Sequence, residues 1–76
     1  MKQILLDITK AIVEDPDSVL VTEKVSGDTV VLELSVAKHD MGRVIGRQGR
    51  IAKEIRTLIK AMGLRDDKRV MVDILD

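Results

Sequence analysis

The chain has 76 residues, with 13 basic and 13 acidic side chains, one histidine, no cysteine and no aromatic residue. That length holds one domain, expected over residues 1–76, and excludes a second core, while the missing cysteines exclude a disulfide scaffold and thiolate metal sites. Zero net charge argues against bulk electrostatic coating by nucleic acid, and the missing rings disfavour single-strand binders that stack bases on aromatic side chains.

In chain order, Ile4, Leu5, Ile8, Ala11 and Ile12 recur at helical spacing. Asp15-Pro16 is expected to end that helix, because proline disfavours the helical region for the residue before it. Val19 to Val25 is rich in β-branched residues, Ser26-Gly27-Asp28 is a turn signal, and Thr29 to Val36 alternates Val30, Leu32, Leu34 and Val36 with Val31, Glu33 and Ser35. The two runs predict a β-hairpin. Met41 to Ile45 reads as a very short helix capped by Asp40, and beyond Gly46-Arg47-Gln48-Gly49 the residues Ile51, Ile55, Leu58, Ile59 and Met62 form one apolar stripe. Gly63 stands where a left-handed C-terminal cap is expected, Asp66-Asp67-Lys68 is a loop, and Arg69 to Leu75 alternates as a strand.

The order α-β-β-α-α-β implies an α+β fold. A strand followed by two helices and another strand needs a crossover, so the flanking strands are expected to be parallel in a three-stranded mixed sheet with all three helices on one face. The other face would then expose Val31, Glu33, Ser35, Met71 and Asp73. No apolar run nears the length of about 20 residues that spans a bilayer, and no signal-peptide pattern is present, so a cytoplasmic location is expected.

Gly46 to Gly49 is the most informative stretch. Two glycines three apart let backbone N–H groups approach an anion, Arg47 and Gln48 project between them, and the following helix turns its positive dipole end to the same place. Charge is segregated to match. Residues 41–65 hold seven bases (Arg43, Arg47, Arg50, Lys53, Arg56, Lys60, Arg65) against the single acid Glu54, a net of +6, which leaves −6 for the rest. Arg56, Lys60 and Arg65, a turn or more from the loop, are expected to be solvated.

Val44-Ile45-Gly46-Arg47-Gln48-Gly49-Arg50-Ile51 resembles the KH-domain signature, which is built on apolar-Ile-Gly-x-x-Gly, and the element order is similar to the type II form of that domain. Met41 to Ala52 and Lys68-Arg69-Val70 further resemble the bacterial single-KH proteins of the KhpA family. The resemblance implies non-catalytic binding of single-stranded RNA, and of single-stranded DNA in vitro. Gly46, Arg47, Gln48 and Gly49 would hold phosphates, Val44, Ile45 and Ile51 would support an aliphatic base groove or pack behind it, and Arg43, Arg50 and Lys53 would add charge-assisted contacts. It also implies homodimers, heterodimers with a larger KH protein (KhpB or Jag), RNA-chaperone activity and a link to cell shape and division. Ala52, Arg56 and Ile59 are expected near the outer side of the last helix, with Ile59 as an exposed apolar anchor.

Catalysis is disfavoured. His39 is the only histidine, and Ser35 and Asp40 neighbour it only in sequence, which makes neither a triad nor a metal cluster. Gly42, Gly46 and Gly49 are not followed by Lys-Ser or Lys-Thr, so the loop is not a P-loop, and no cofactor or small-molecule substrate is expected. The rival reading is a protein-interaction module in which RNA binding is incidental.

Overall fold

In the computed structural model, which describes residues 1–75, the alternating runs form one sheet of order β1-β2-β3. The elements are α1 (Lys2–Ile12), β1 (Leu20–Ser26), β2 (Thr29–Ser35), α2 (Met41–Ile45), α3 (Arg50–Arg65) and β3 (Arg69–Leu75), with single 3₁₀ turns at Pro16–Ser18, Lys38–Asp40 and Arg47–Gly49. β1 and β2 pair antiparallel from Leu20↔Ser35 to Ser26↔Thr29, and β2 and β3 pair parallel from Thr29↔Arg69 to Ser35↔Leu75. The fold is therefore α+β, a three-stranded mixed sheet with three helices on one face.

Period-two alternation sends Val21, Val30, Leu32, Leu34, Val70 and Val72 to the covered face, where they meet Leu5, Val44, Ile55 and Ile59 from the helices. Each such aliphatic side chain contributes about 1.5–3 kcal/mol on full burial, and here no aromatic residue shares the task. The opposite face exposes Leu20, Met71, Asp73 and Leu75, whereas Val31, Glu33 and Ser35 on the central strand are only half-buried. Among the described residues, no helix is long and apolar enough to cross a membrane.

Several expectations are corrected. Helix α1 ends at Ile12, with Val13 already extended (φ −82°, ψ 160°), three residues before Asp15-Pro16 acts. The cause lies far along the chain: the Asp40 carboxylate accepts the amides of Glu14 (2.9 Å) and Asp15 (3.0 Å) and fixes that corner in an extended course. Consequently Asp40 does not cap α2, for which no side-chain cap bond exists. Its carboxylate is fully buried at the junction of α1 and α2.

Gly63 is not a left-handed cap either. It lies inside α3 against β3, where a Cβ would run into the Val70 side chain and stand 3.1 Å from the Lys68 carbonyl. The helix ends two residues later in a Schellman arrangement, with Lys68 N–H on the Gly63 carbonyl (2.9 Å) and Asp67 N–H on that of Leu64 (3.2 Å). Asp67, at φ 55°, supplies the left-handed residue. Finally, Ala52 and Ile59 are buried, at 4% and 0% exposure, so Ile59 is no exposed anchor. Ala52, Ile55, Ile59 and Gly63 are the buried positions of α3, and Leu58, expected in the stripe, is exposed.

Candidate nucleic-acid interface

α2 stops at Gly46, whose amide bonds the Gly42 carbonyl at 2.9 Å while its own torsions (φ 75°, ψ 177°) leave the helix. A Cβ at Gly46 would collide with the Ile51 side chain and lie 3.0 Å from the Ile51 nitrogen, so both the positive φ and the close approach demand glycine there. Gly49 N–H closes the turn on the Gly46 carbonyl at 3.2 Å. Gly49 is left-handed (φ 76°, ψ 12°) but stands in open space, and Gln48 between them also takes a left-handed conformation (φ 59°, ψ 25°).

The loop thus delivers the chain to the start of α3, where Gly49 offers no side chain to cap the first turn. Uncapped amides and the positive end of a 16-residue helix face the same side as the loop. Arg47, Gln48, Arg50 and Lys53 are exposed around it, and Arg50 and Lys53 continue into a shallow hollow along α3 with Glu54, Thr57, Leu58 and Ala61.

The remaining predicted residues sit differently. Val44 is wholly buried and serves the core, Ile51 is half-buried against that core, and Ile45 is the most open of the three, at 38% exposure. Arg43 is exposed yet engaged: its guanidinium lies 3.4 Å from both Asp40 Oδ1 and Glu14 Oε2. His39 Nε2 stands 3.6 Å from Asp40 and 3.7 Å from Glu14. Burial by itself pushes the Asp40 carboxyl up. The amides of Glu14 and Asp15, then the charges of His39 and Arg43, outweigh it and hold the group below its ordinary 3.8.

Arg56 is the residue that local reading missed. Rather than being merely solvated, it donates from Nε to the Val72 carbonyl of β3 at 3.1 Å. With Lys60 it lines a hollow bounded by Val70, Met71, Val72 and Asp73. The signal available in sequence was the spacing of Ala52, Arg56 and Lys60, four apart along one stripe of the helix.

Two helices joined by a Gly-x-x-Gly turn, packed with a third helix on an α-β-β-α-α-β sheet, define a KH domain of type II. The chain matches the family model described as KhpA/KhpB, KH domain, over residues 2–74, and it belongs to that family. It is 53% identical over 75 residues to the RNA-binding protein KhpA of Clostridium acetobutylicum, covering 99% of this chain and all of that one. The identity to the RNA-binding protein KhpA of Listeria monocytogenes is 45% over 76 residues, with full coverage of both chains. These relatives are bacterial and the family is not enzymatic. Among solved structures, Era of Aquifex aeolicus bound to GDP.AlF4- superposes with a TM-score of 0.68 at 20% identity, over 96% of this chain and 28% of that one. Era in complex with MgGDPNP and nucleotides 1506–1542 of 16S ribosomal RNA gives 0.59 at 18% identity, over the same shares. At those identities the likeness concerns the fold alone.

Proposed function

We propose that this chain is a non-catalytic RNA-binding protein, a single KH unit that grips the backbone of single-stranded RNA with Gly46-Arg47-Gln48-Gly49. The observation that carries this reading is the loop itself, whose two glycines at φ 75° and 76° set exposed Arg47 and Gln48 at the uncapped start of α3. Phosphate oxygens suit such a place, because backbone donors, the helix dipole and a guanidinium converge there, and Glu54 is the single acid among residues 41–65. Arg50 and Lys53 extend the positive surface, with Ile45 and Ile51 as its aliphatic margin. The relatives' name, RNA-binding protein KhpA, supports the same reading.

Contacts dominated by phosphate give dissociation constants of about 10⁻⁴ to 10⁻⁶ M, so one module discriminates poorly and gains by pairing. The reading therefore includes a homodimer or a heterodimer with a larger KH protein of the KhpB or Jag kind, acting in the cytoplasm as an RNA chaperone or post-transcriptional regulator that bears on cell shape and division. Fluorescence anisotropy with mixed-sequence single-stranded RNA and DNA tests the grip. If about four phosphates are neutralised, log K falls against log salt with a slope near −3. Replacing Arg47→Asp together with Gln48→Asp weakens binding by about 100-fold or more while the melting curve stays in place; unchanged affinity in that variant removes the clamp.

A second reading has its own observation. Leu20, Met71 and Leu75 leave an apolar surface on the open face of the sheet, at 62%, 52% and 42% exposure, as a protein-interaction module would. It gains if light scattering finds stable self-association that charges placed at Leu20 and Met71 abolish, while RNA binds without regard to the loop.

A further inference from the structure

β3 is an outer strand, so half of its backbone groups have no strand to pair with. Arg69 N–H bonds the Asp28 carbonyl at 2.8 Å, which turns the backbone groups of the odd-numbered residues of β3 toward β2. Those of Val70, Val72 and Ile74 consequently point away from the sheet. The Val72 carbonyl is nonetheless occupied, by Arg56 Nε at 3.1 Å. Arg56 lies about 9 Å along the α3 axis from Arg50 at 1.5 Å per residue. That is within reach of a strand of about four nucleotides clamped at the loop.

We propose that Arg56 sets the base preference of the hollow between α3 and the β3 edge, by covering an acceptor and presenting donors in its place. The inference rests on the RNA reading above. A bare Val72 carbonyl would accept from an exocyclic amine such as cytosine N4–H₂. With Arg56 laid across it, that acceptor is used, and the terminal N–H groups of the guanidinium remain for a keto oxygen such as uracil O4 or guanine O6. Uracil and cytosine are alike in size, so discrimination between them isolates this exchange of polarity. Lys60 supplies charge beside it without a planar fork, and so adds attraction to phosphate rather than selection among bases.

The test compares short oligouridine and oligocytidine binding to the wild-type chain and to Arg56→Met, which keeps the aliphatic stem and loses every donor. The wild type binds oligouridine about fivefold more tightly, as one added hydrogen bond would give. In Arg56→Met the ratio falls to one or reverses, because oligouridine loses a donor and oligocytidine gains the freed carbonyl. Circular dichroism confirms the fold, and in the native protein the Arg56 Nε–H resonance moves with oligouridine and not with oligocytidine. Equal wild-type affinities overturn the proposal. So does equal weakening of both oligomers in Arg56→Met, which would mark a structural or a phosphate contact. Binding that is intact but indifferent to Arg56 removes this inference alone, whereas no binding of either oligomer by the wild type removes the RNA reading and this inference with it.

Discussion

The two ends of α2 use the same chemistry in opposite directions. At the N-terminal end, backbone amides of Glu14 and Asp15 meet a carboxylate that the protein itself supplies, buried Asp40, and Arg43 and His39 close the cluster. At the C-terminal end, the Gly46–Gly49 turn and the first turn of α3 present donors with no side-chain cap, and the nearby cations Arg47, Arg50 and Lys53 are solvent-facing. One anion site is filled from within and tethers α1 to α2. On the reading proposed above, the other receives an anion from outside. A helix of five residues has little stability of its own, so the closed end gives the open end a fixed position.

The largest effect expected falls on the open end. Gly46→Ala combines the strain of a positive φ, about 1–2 kcal/mol, with overpacking against Ile51, about 1–3 kcal/mol. Chemical denaturation should therefore show a loss of about 3 kcal/mol. Gly49→Ala meets only the first cost, about 1–2 kcal/mol, because nothing stands near its added Cβ. Equal losses at the two glycines would contradict the packing drawn for the turn.

The closed end yields the next effect. The Asp40 carboxyl is held below 3.8, so its contribution is complete above that pH and is lost as pH falls from 3.8 toward the lower folded value. Asp40→Asn should lower the urea midpoint at pH 7, and it should flatten the acid limb of the stability profile; parallel profiles for the two proteins would remove the tether. Arg43→Met should do least. Its exposed pairing with Glu14 and Asp40 is worth at most about 1 kcal/mol. Being engaged on the protein side, Arg43 should alter RNA affinity by no more than about twofold, well below the effect of the loop pair.

This contrast also explains which features could be read beforehand. The bounds of β3 follow from local alternation, the parallel crossover from the order of the elements, and the glycine turn from two residues whose lack of a Cβ is a local property. Asp40 could not be placed that way, because its partners Glu14 and Asp15 lie 26 and 25 residues away and a capping role was the nearest local use. Gly63 reads as a left-handed helix cap on the same grounds, whereas its task is to let Val70 approach α3. Ile59 and Arg56 show the third case. Both sit on α3, and only the position of β3 decides that the first faces the core and the second bonds its edge.

Amide chemical-shift mapping with a short single-stranded RNA on uniformly ¹⁵N-labelled protein would decide where RNA sits. If RNA is held at the open anion site, the amides of Gly46 through Ala52 shift most, those of Val70 to Asp73 follow, and Leu20 and Leu75 on the open sheet face stay still. Shifts centred on Leu20, Met71 and Leu75, with the glycine turn unmoved, would contradict it.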